Sequence, residues 1–167
     1  MKRPLCLSIV LSLLLCLCGC GSPAIDPVDF HYCRNPDQFQ YFETDSVIRH
    51  ESRDLTGHMG DLRYMIGLYL AGPLEEGLVC PFPAQTRLLS VKTEGDTAFI
   101  ELSDLEQLLS DSQFSLACAC LTLSCMSFSS CTAVTITSGS RSVTMNTDNL
   151  SLFDASVMEE AANGGNQ

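Results

Sequence analysis

Residues 87–102 read Arg-Leu-Leu-Ser-Val-Lys-Thr-Glu-Gly-Asp-Thr-Ala-Phe-Ile-Glu-Leu, and this stretch decides the fold. Apolar and polar residues alternate on both sides of Glu94-Gly95-Asp96, which is the period of a strand with one buried face. Gly95 supplies the positive φ that a tight turn requires. We therefore predict a β-hairpin whose strands cover residues 87–93 and 97–102.

A helix precedes this hairpin. Apolar residues fall at helical spacing within residues 59–71 and form one stripe, which is typical of a helix lying on a core. Gly72 and Pro73 end the helix, because glycine accepts a left-handed cap and proline cannot continue the hydrogen-bond ladder.

A second helix follows the hairpin, and Asp111 or Ser112 is expected to cap its start. Its stripe of large and thiol side chains consists of Phe114, Cys118, Leu121, Cys125 and Phe128. Residues 112–140 contain no charged side chain but many serines and threonines. We therefore predict a buried helix and a buried strand in this stretch rather than a membrane span.

Four further strands complete the prediction, at residues 39–43, 47–55, 132–137 and 141–145. Charged residues alternate along 47–55, which favours an edge strand. The resulting order, β-β-α-β-β-α-β-β, indicates an α+β fold. We expect a two-layer sandwich in which both helices pack on one face of a mostly antiparallel sheet, in a single domain over residues 39–150. A flexible tail is predicted for 151–167.

The first 20 residues have the pattern of a bacterial lipoprotein signal. Lys2 and Arg3 precede an apolar run that ends at Leu17, and the small Gly19 stands before Cys20. The run is shorter than the roughly 20 apolar residues of a spanning helix. We predict a signal peptide over residues 1–19, cleavage between Gly19 and Cys20, and an acidic tether over 20–38. A plain secreted protein is the alternative.

Lipidation of Cys20 would fix the location of the protein. The two acyl chains of a diacylglyceryl group hold a protein stably, whereas a single chain holds it only marginally. We therefore expect a lipid-anchored protein on the extracytoplasmic face of the cell membrane.

The acidic composition limits the other partners. Removing residues 1–19 takes away two of the nine basic residues and no acidic residue, which leaves seven against 20 and a formal charge of −13. Phosphate backbones and anionic lipid headgroups repel such a surface. We expect no nucleic-acid partner, and membrane contact only through the lipid on Cys20.

Six cysteines remain beyond Cys20, namely Cys33, Cys80, Cys118, Cys120, Cys125 and Cys131. An even number outside the cytoplasm permits disulfides, but sequence alone does not choose their pairing. Cys118 and Cys120 would point to different sides of a helix, which disfavours a shared zinc ion. We expect buried thiols and no metal or cofactor, with Cys33 in the tether the most exposed. A disulfide of Cys131 with Cys80 or Cys125 is an alternative.

Three stretches resemble a known family. They are the helix end Leu68-Tyr69-Leu70-Ala71-Gly72-Pro73, the run from Gly77-Leu78 through Pro83 and Thr86 to Leu88-Leu89-Ser90-Val91, and the hairpin close Ala98-Phe99-Ile100-Glu101-Leu102-Ser103. Together they are similar to the GerMN domain of sporulation and spore-germination lipoproteins of Gram-positive bacteria, over about residues 39–145. The chain departs from the family pattern at Pro83-Ala84-Gln85-Thr86, where Pro-x-Gly-Thr is usual, and at Glu101, where aspartate is usual.

The resemblance implies a non-enzymatic extracytoplasmic module that acts by protein contact in sporulation, germination or envelope assembly. We predict a scaffold that binds a protein partner or its own copies through a sheet edge or the loop 74–82, with Leu78 and Phe82 as contact residues. A thiol-redox or metal-binding protein that uses residues 118–131 is the alternative. An envelope hydrolase is a third hypothesis, although the sequence has no Gly-x-Ser-x-Gly, phosphate loop or Ser-x-x-Lys motif.

Overall fold

The computed structural model describes residues 27–35 and 47–150. These residues form an α+β arrangement, which confirms the predicted class, but their strands form two sheets where we predict one. The predicted strand at 39–43, the signal peptide with Gly19 and Cys20, and the tail at 151–167 lie outside the described residues.

The strands are β1 (Val28–Arg34), β2 (Ile48–Arg53), β3 (Leu78–Val79), β4 (Leu88–Glu94), β5 (Thr97–Leu102), β6 (Ala133–Ser138) and β7 (Arg141–Asn146). The helices are α1 (Leu62–Leu70), α2 (Asp111–Phe128) and the short α3 (Thr147–Leu150). One sheet has the order β2-β1-β3 and the other β4-β5-β6-β7. We call them the N-terminal sheet and the C-terminal sheet. The element order differs from the predicted one by β1, β3 and α3.

The C-terminal sheet contains the predicted hairpin. β4 and β5 pair antiparallel around Gly95, whose φ is 62°. β5 then runs parallel to β6, and β6 pairs antiparallel with β7. The register sets Ile100 of β5 beside Ile136 of β6, and both side chains are buried. In β5 and β6 the alternation in the sequence is therefore the alternation of the core face. The alternation predicted for β4 is wrong, because its register shifts between Leu88 and Ser90 and Leu89 is 52% exposed.

The observed cap of the long helix α2 lies one residue before the predicted Asp111 or Ser112. The Ser110 hydroxyl accepts a hydrogen bond from the Gln113 amide, and the Gln113 side chain accepts one from the Ser110 amide, which completes a capping box. The helix packs against β1 of the N-terminal sheet and against β6 and β7 of the C-terminal sheet. Side chains on most of its circumference are therefore buried, which explains why the stretch carries no charge. Within the two described ranges, no helix is both long and apolar enough to cross a membrane.

Helix α1 is shorter than the predicted range 59–71. Asp61 caps its start by accepting a hydrogen bond from the Tyr64 amide at 2.9 Å. Its buried stripe consists of Met65, Ile66 and Tyr69. The helix ends before Gly72 and Pro73, as predicted.

The structure corrects the prediction of a tether over residues 20–38 for the part that it describes. Residues 28–34 form β1, the central strand of the N-terminal sheet. Val28, Phe30 and Tyr32 alternate along it and are buried. Asp29 and His31 stand between them, so the strand period is present in the sequence, but the flanking Pro27 and Pro36 are more typical of a tether. β2 is an edge strand, as predicted.

Candidate functional site

A groove of about 520 Å³ lies between the end of β2 and the end of α1. Leu55, Leu68 and Pro73 contribute apolar walls. Tyr64 and Leu74 line it as well, and their side chains are 38% and 83% exposed. Two apolar side chains thus border one concave surface, which is typical of a contact site rather than of scattered surface leucines. We call this surface the Leu74 groove.

A buried carboxylate holds the rim of the groove. The Oε2 atom of Glu51 accepts hydrogen bonds from the backbone amides of Leu74 at 2.9 Å and Glu75 at 2.6 Å. The Glu51 side chain itself is 6% exposed. The backbone at residue 74 is therefore fixed although its side chain faces solvent.

Arg53 joins this carboxylate to the end of helix α1. Its Nε donates to Glu51 Oε1 at 2.6 Å, and its Nη2 forms an ion pair with the same oxygen. Nη2 also donates to the carbonyl of Gly72 at 2.7 Å. The last carbonyls near a helix C-terminus lack partners within the helix, and a cation there is favourable. The guanidinium thus links β2, α1 and the groove rim.

Glu51, the acidic member of this ion pair, stays charged near neutral pH. Burial by itself raises the pKa of Glu51, but bonds from the Glu75 and Leu74 amides and from Arg53 together hold that pKa below its ordinary value. Glu51 therefore remains a carboxylate. The Arg53 guanidinium lies 4.4 Å from the centre of the Phe30 ring, which adds a cation–π contact.

A stacked pair of tyrosines contacts the Arg53 guanidinium. Tyr32 and Tyr69 stack with ring centres 4.7 Å apart, and Arg53 Nη2 donates to the Tyr32 hydroxyl at 3.2 Å. Burial raises the pKa of Tyr32, although the nearby Arg53 charge opposes this. The hydroxyl therefore stays protonated and donates to the Tyr69 carbonyl at 3.1 Å.

Of the two predicted contact residues, Phe82 is buried, whereas Leu78 remains partly exposed. Phe82 is 4% exposed and meets the Tyr69 ring edge-on, with centres 6.3 Å apart. It belongs to the core, because the loop folds back over α1. Leu78 is half-buried in β3, where it pairs with Arg34. Leu74, at the start of the same predicted loop, is its exposed large apolar residue.

The predicted cysteine cluster at 118–131 is divided in the structure. All six cysteines are free thiols, and Cys33 is 8% exposed, which corrects its expected exposure. Cys120 meets Cys33 of β1, with the sulfur atoms 3.8 Å apart. Burial raises the pKa of Cys118 to about 12, partly opposed by Arg141. Cys131 accepts a hydrogen bond from the Ser129 hydroxyl at 3.0 Å.

No group of three or more histidine, cysteine, aspartate or glutamate side chains in residues 27–35 and 47–150 is arranged to hold a metal ion. The metal-binding alternative therefore has no assembled ligand set in this part of the chain.

Sequence reasoning missed Glu51, Arg53 and Tyr64. The first two alternate with polar residues along β2 and were interpreted as part of a solvated charged face. A signal was present, because residues two apart on a strand share a face and these two carry opposite charges. Nothing in the sequence showed that the pair would meet the end of α1.

Comparison with known proteins identifies a family. A family model for Germane, described as sporulation and spore germination, matches residues 32–144. None of the curated protein sequences compared with the chain matches it.

Two solved structures are similar to the chain at low identity. One is a candidate lipoprotein from Clostridium perfringens, with 18% identity, a TM-score of 0.44, and coverage of 77% of this chain and 95% of that one. The other is the tandem GerMN domains of the sporulation protein GerM from Bacillus subtilis, with 16% identity and a TM-score of 0.47. That match covers 74% of this chain and 42% of the GerM chain. Because the family match spans more than half of the sequence, the chain belongs to the Germane family of sporulation and spore germination domains.

Proposed function

We propose that this protein is a lipid-anchored extracytoplasmic scaffold that acts without catalysis in sporulation, germination or envelope assembly. Membership of the Germane family supports the process, and the Gly19-Cys20 signal supports the anchor. The observation that carries the scaffold role is the exposed Leu74 on a backbone fixed by the buried Glu51.

The Leu74 groove suits a protein segment that carries one apolar side chain beside a basic residue. Leu74 and Tyr64 offer the apolar contact, and Asp54 lines the groove with them. Glu75 and Glu76 directly follow Leu74, and the whole chain has 20 acidic residues against nine basic ones. A basic segment would be attracted to this surface, and the attraction would weaken as salt increases.

The experiment replaces Leu74 with a photo-crosslinking amino acid in the full-length protein in its host. Leu89 is the matched control, because it is 52% exposed on β4 of the other sheet. We expect one adduct of defined mass from position 74 and none from position 89. Mass spectrometry of the adduct identifies the partner, and an adduct of twice the protein's mass identifies a second copy.

Two substitutions then test the chemistry of the contact. Exchange of Leu74 for serine should leave thermal stability nearly unchanged, since the side chain is solvent-exposed, but should prevent crosslinking from a probe placed at Tyr64. Glu75→Lys should reduce the same crosslink, because it reverses a charge beside the groove. Equal crosslinking from positions 74 and 89, or none from either, would contradict the groove as the contact site.

The anchor is tested separately with Cys20→Ala. Without the lipid acceptor the protein should move from the membrane fraction to the soluble or secreted fraction, because its acidic surface has no affinity for anionic headgroups. Its thermal unfolding midpoint should not change. Retention in the membrane of variant molecules from which residues 1–19 have been removed would exclude lipidation of Cys20 as the anchor.

A thiol-redox protein is the second candidate. The observation that favours it is the contact between the Cys33 and Cys120 sulfur atoms, not the predicted run at 118–131. Reduction of insulin disulfides by the dithiol form separates the two candidates. The scaffold predicts no turnover above that of the Cys33→Ala variant.

A further inference from the structure

Strand β1 and helix α2 are connected by a ladder of three regularly spaced contacts. The amide of Asp29 donates to the Ser127 hydroxyl at 2.9 Å, and the amide of His31 donates to the Ser124 hydroxyl at 2.8 Å. The third contact joins Cys33 and Cys120, whose sulfur atoms are 3.8 Å apart.

The spacing of these contacts follows from the geometry of the two elements. Each step covers two residues of the strand, which advance about 6.6 Å, and three or four residues of the helix, which advance about 5 Å. One β1 edge therefore runs beside one α2 face over three successive steps. The two sulfur atoms meet because the ladder places them there, and both serine contacts fix the alignment.

We propose that Cys33 and Cys120 are a disulfide pair, which an external disulfide oxidant closes to join β1 covalently to α2. The two sulfur atoms need to approach from 3.8 Å to about 2.05 Å. Cys33 is at the end of β1 and retains 8% exposure, whereas Cys120 is fully buried. The oxidant therefore reaches Cys33 first.

The reaction balances as two thiol–disulfide exchanges. The Cys33 thiolate attacks one sulfur of the oxidant, forms a mixed disulfide and releases one thiol. Cys120 then loses its proton, attacks the Cys33 sulfur and releases the second thiol. The two protein thiols are oxidised to one disulfide, and the oxidant disulfide is reduced to two thiols. The hydrogen bond with Cys120 lowers the pKa of Cys33, which favours this order.

Cys80 is the main competitor for the same partner. It is half-buried and follows β3 directly, and burial together with the nearby Cys33 raises its pKa. It contributes no contact to the ladder, and its thiol points toward the Tyr69 carbonyl at 3.9 Å. We therefore expect Cys80 to remain a thiol.

The disulfide has a consequence that rests on the proposed function. In an anchored protein, any pull on Cys20 reaches the domain through β1, the first described strand. A covalent bond from Cys33 to α2 transfers this load to the central helix instead of the hydrogen bonds of the sheet. The disulfide itself does not depend on lipidation.

The experiment treats the full-length reduced protein with oxidised glutathione, denatures it and counts thiols with a maleimide mass tag. The wild type should lose two reactive thiols. Cys33→Ala should lose none, and Cys120→Ala should lose one thiol and gain the mass of one glutathione, because the mixed disulfide on Cys33 has no resolving thiol. The matched variant Cys118→Ala should still lose two. Oxidation should raise the Tm of the wild type by about 10 °C, because it closes a long loop in the unfolded chain, and should leave Cys33→Ala unchanged.

Three results would overturn the proposal. The first is that the wild type loses no thiols, and the second is that Cys33→Ala or Cys120→Ala still forms an internal disulfide. The third is that peptide mapping finds Cys33 linked to Cys80. If Cys120→Ala fails to fold, Cys33→Ala and peptide mapping of the oxidised wild type give the same decision. Localisation of Cys20→Ala remains a separate measurement, so failure of the disulfide and failure of the anchor are distinguishable.

Discussion

The two sheets of this domain are held together in different ways. In the C-terminal sheet, hairpin β4–β5 closes through a tight turn, and β5 buries alternate residues. In the N-terminal sheet, the central strand β1 pairs with β2, but much of its other edge is completed by serine hydroxyls of α2. Glu51 and Arg53 then tie β2 to the end of α1. One sheet depends on local pattern, and the other on polar contacts between distant residues.

Removal of Glu51 should produce the largest effect. Glu51→Ala leaves the Arg53 charge buried and the Leu74 and Glu75 amides without their acceptor. We expect a loss of about 3–5 kcal/mol in the free energy of unfolding, measured by urea denaturation. The matched control is Glu101→Ala in β5, where the exposed carboxylate accepts a hydrogen bond from the Ser90 hydroxyl at 2.9 Å. That change should cost at most about 0.5 kcal/mol.

The same variant has a defined dependence on pH. The folded pKa of Glu51 is lowered, so its contribution is complete above the ordinary glutamate pKa of about 4.3 and disappears as the pH falls through the lower folded value. Wild type and Glu51→Ala should therefore converge in stability under acid. Equal losses for positions 51 and 101 at neutral pH would show that the two sheets do not differ in this respect.

The serine ladder is the next point at which the N-terminal sheet can be broken. Ser124→Ala removes the acceptor of the His31 amide, and an unsatisfied buried amide costs about 1–3 kcal/mol. Ser115→Ala on the same helix is the control, because it measures the gain of about 0.5 kcal/mol from the better helix propensity of alanine. Hydrogen exchange should show lost protection at His31 only in the first variant. An unchanged His31 amide would mean that water replaces the hydroxyl.

Two glycines sharpen the picture of the C-terminal sheet. Gly95 and Gly139 have φ angles of 62° and 60°, so alanine is strained by about 1 kcal/mol at either position. A Cβ on Gly139 would also lie 2.7 Å from Asp104 Oδ1, whereas a Cβ on Gly95 meets nothing within 4 Å. Gly139→Ala should therefore lower the Tm by more than Gly95→Ala does. The additional loss in the free energy of unfolding, evaluated at Tm, should be about 1 kcal/mol. Equal values would show that Asp104 moves aside freely.

The contrast between the sheets also explains what sequence could predict. The period of residues 97–102 and the turn at Gly95 depend on neighbours only, so β4 and β5 were predicted within about one residue. The tether prediction for β1 follows from Pro27 and Pro36 on either side of it, although Val28, Phe30 and Tyr32 alternate with polar residues. The contacts that align this strand lie more than 90 residues away on α2, where the sequence gives no sign of them. The sequence predicts part of the groove, because Leu74 lies in the predicted contact loop 74–82. It does not predict that Phe82 of the same loop is buried against α1.

The smallest expected effect concerns His31, which gives the N-terminal sheet its own response to pH. Burial lowers the pKa of His31, the nearby His50 lowers it further, and Asp29 opposes both. Its Nδ1 atom is buried and has no hydrogen-bond partner among residues 27–35 and 47–150. A histidine with a lowered folded pKa favours folding only while it is neutral. Its contribution is therefore complete above the ordinary value of about 6.5 and is lost as the pH falls toward the folded value.

Acidification from about pH 7 to pH 5.5 should therefore weaken the wild type more than His31→Gln, which cannot charge. The loss should be local, with amides of β1 losing exchange protection before those of β5, after correction for intrinsic exchange rates. His58→Gln is the control, since His58 is exposed and stacks on Tyr64 at 3.8 Å outside the sheet. If β1 and β5 lose protection together in the wild type, the two sheets open as one unit despite their different construction.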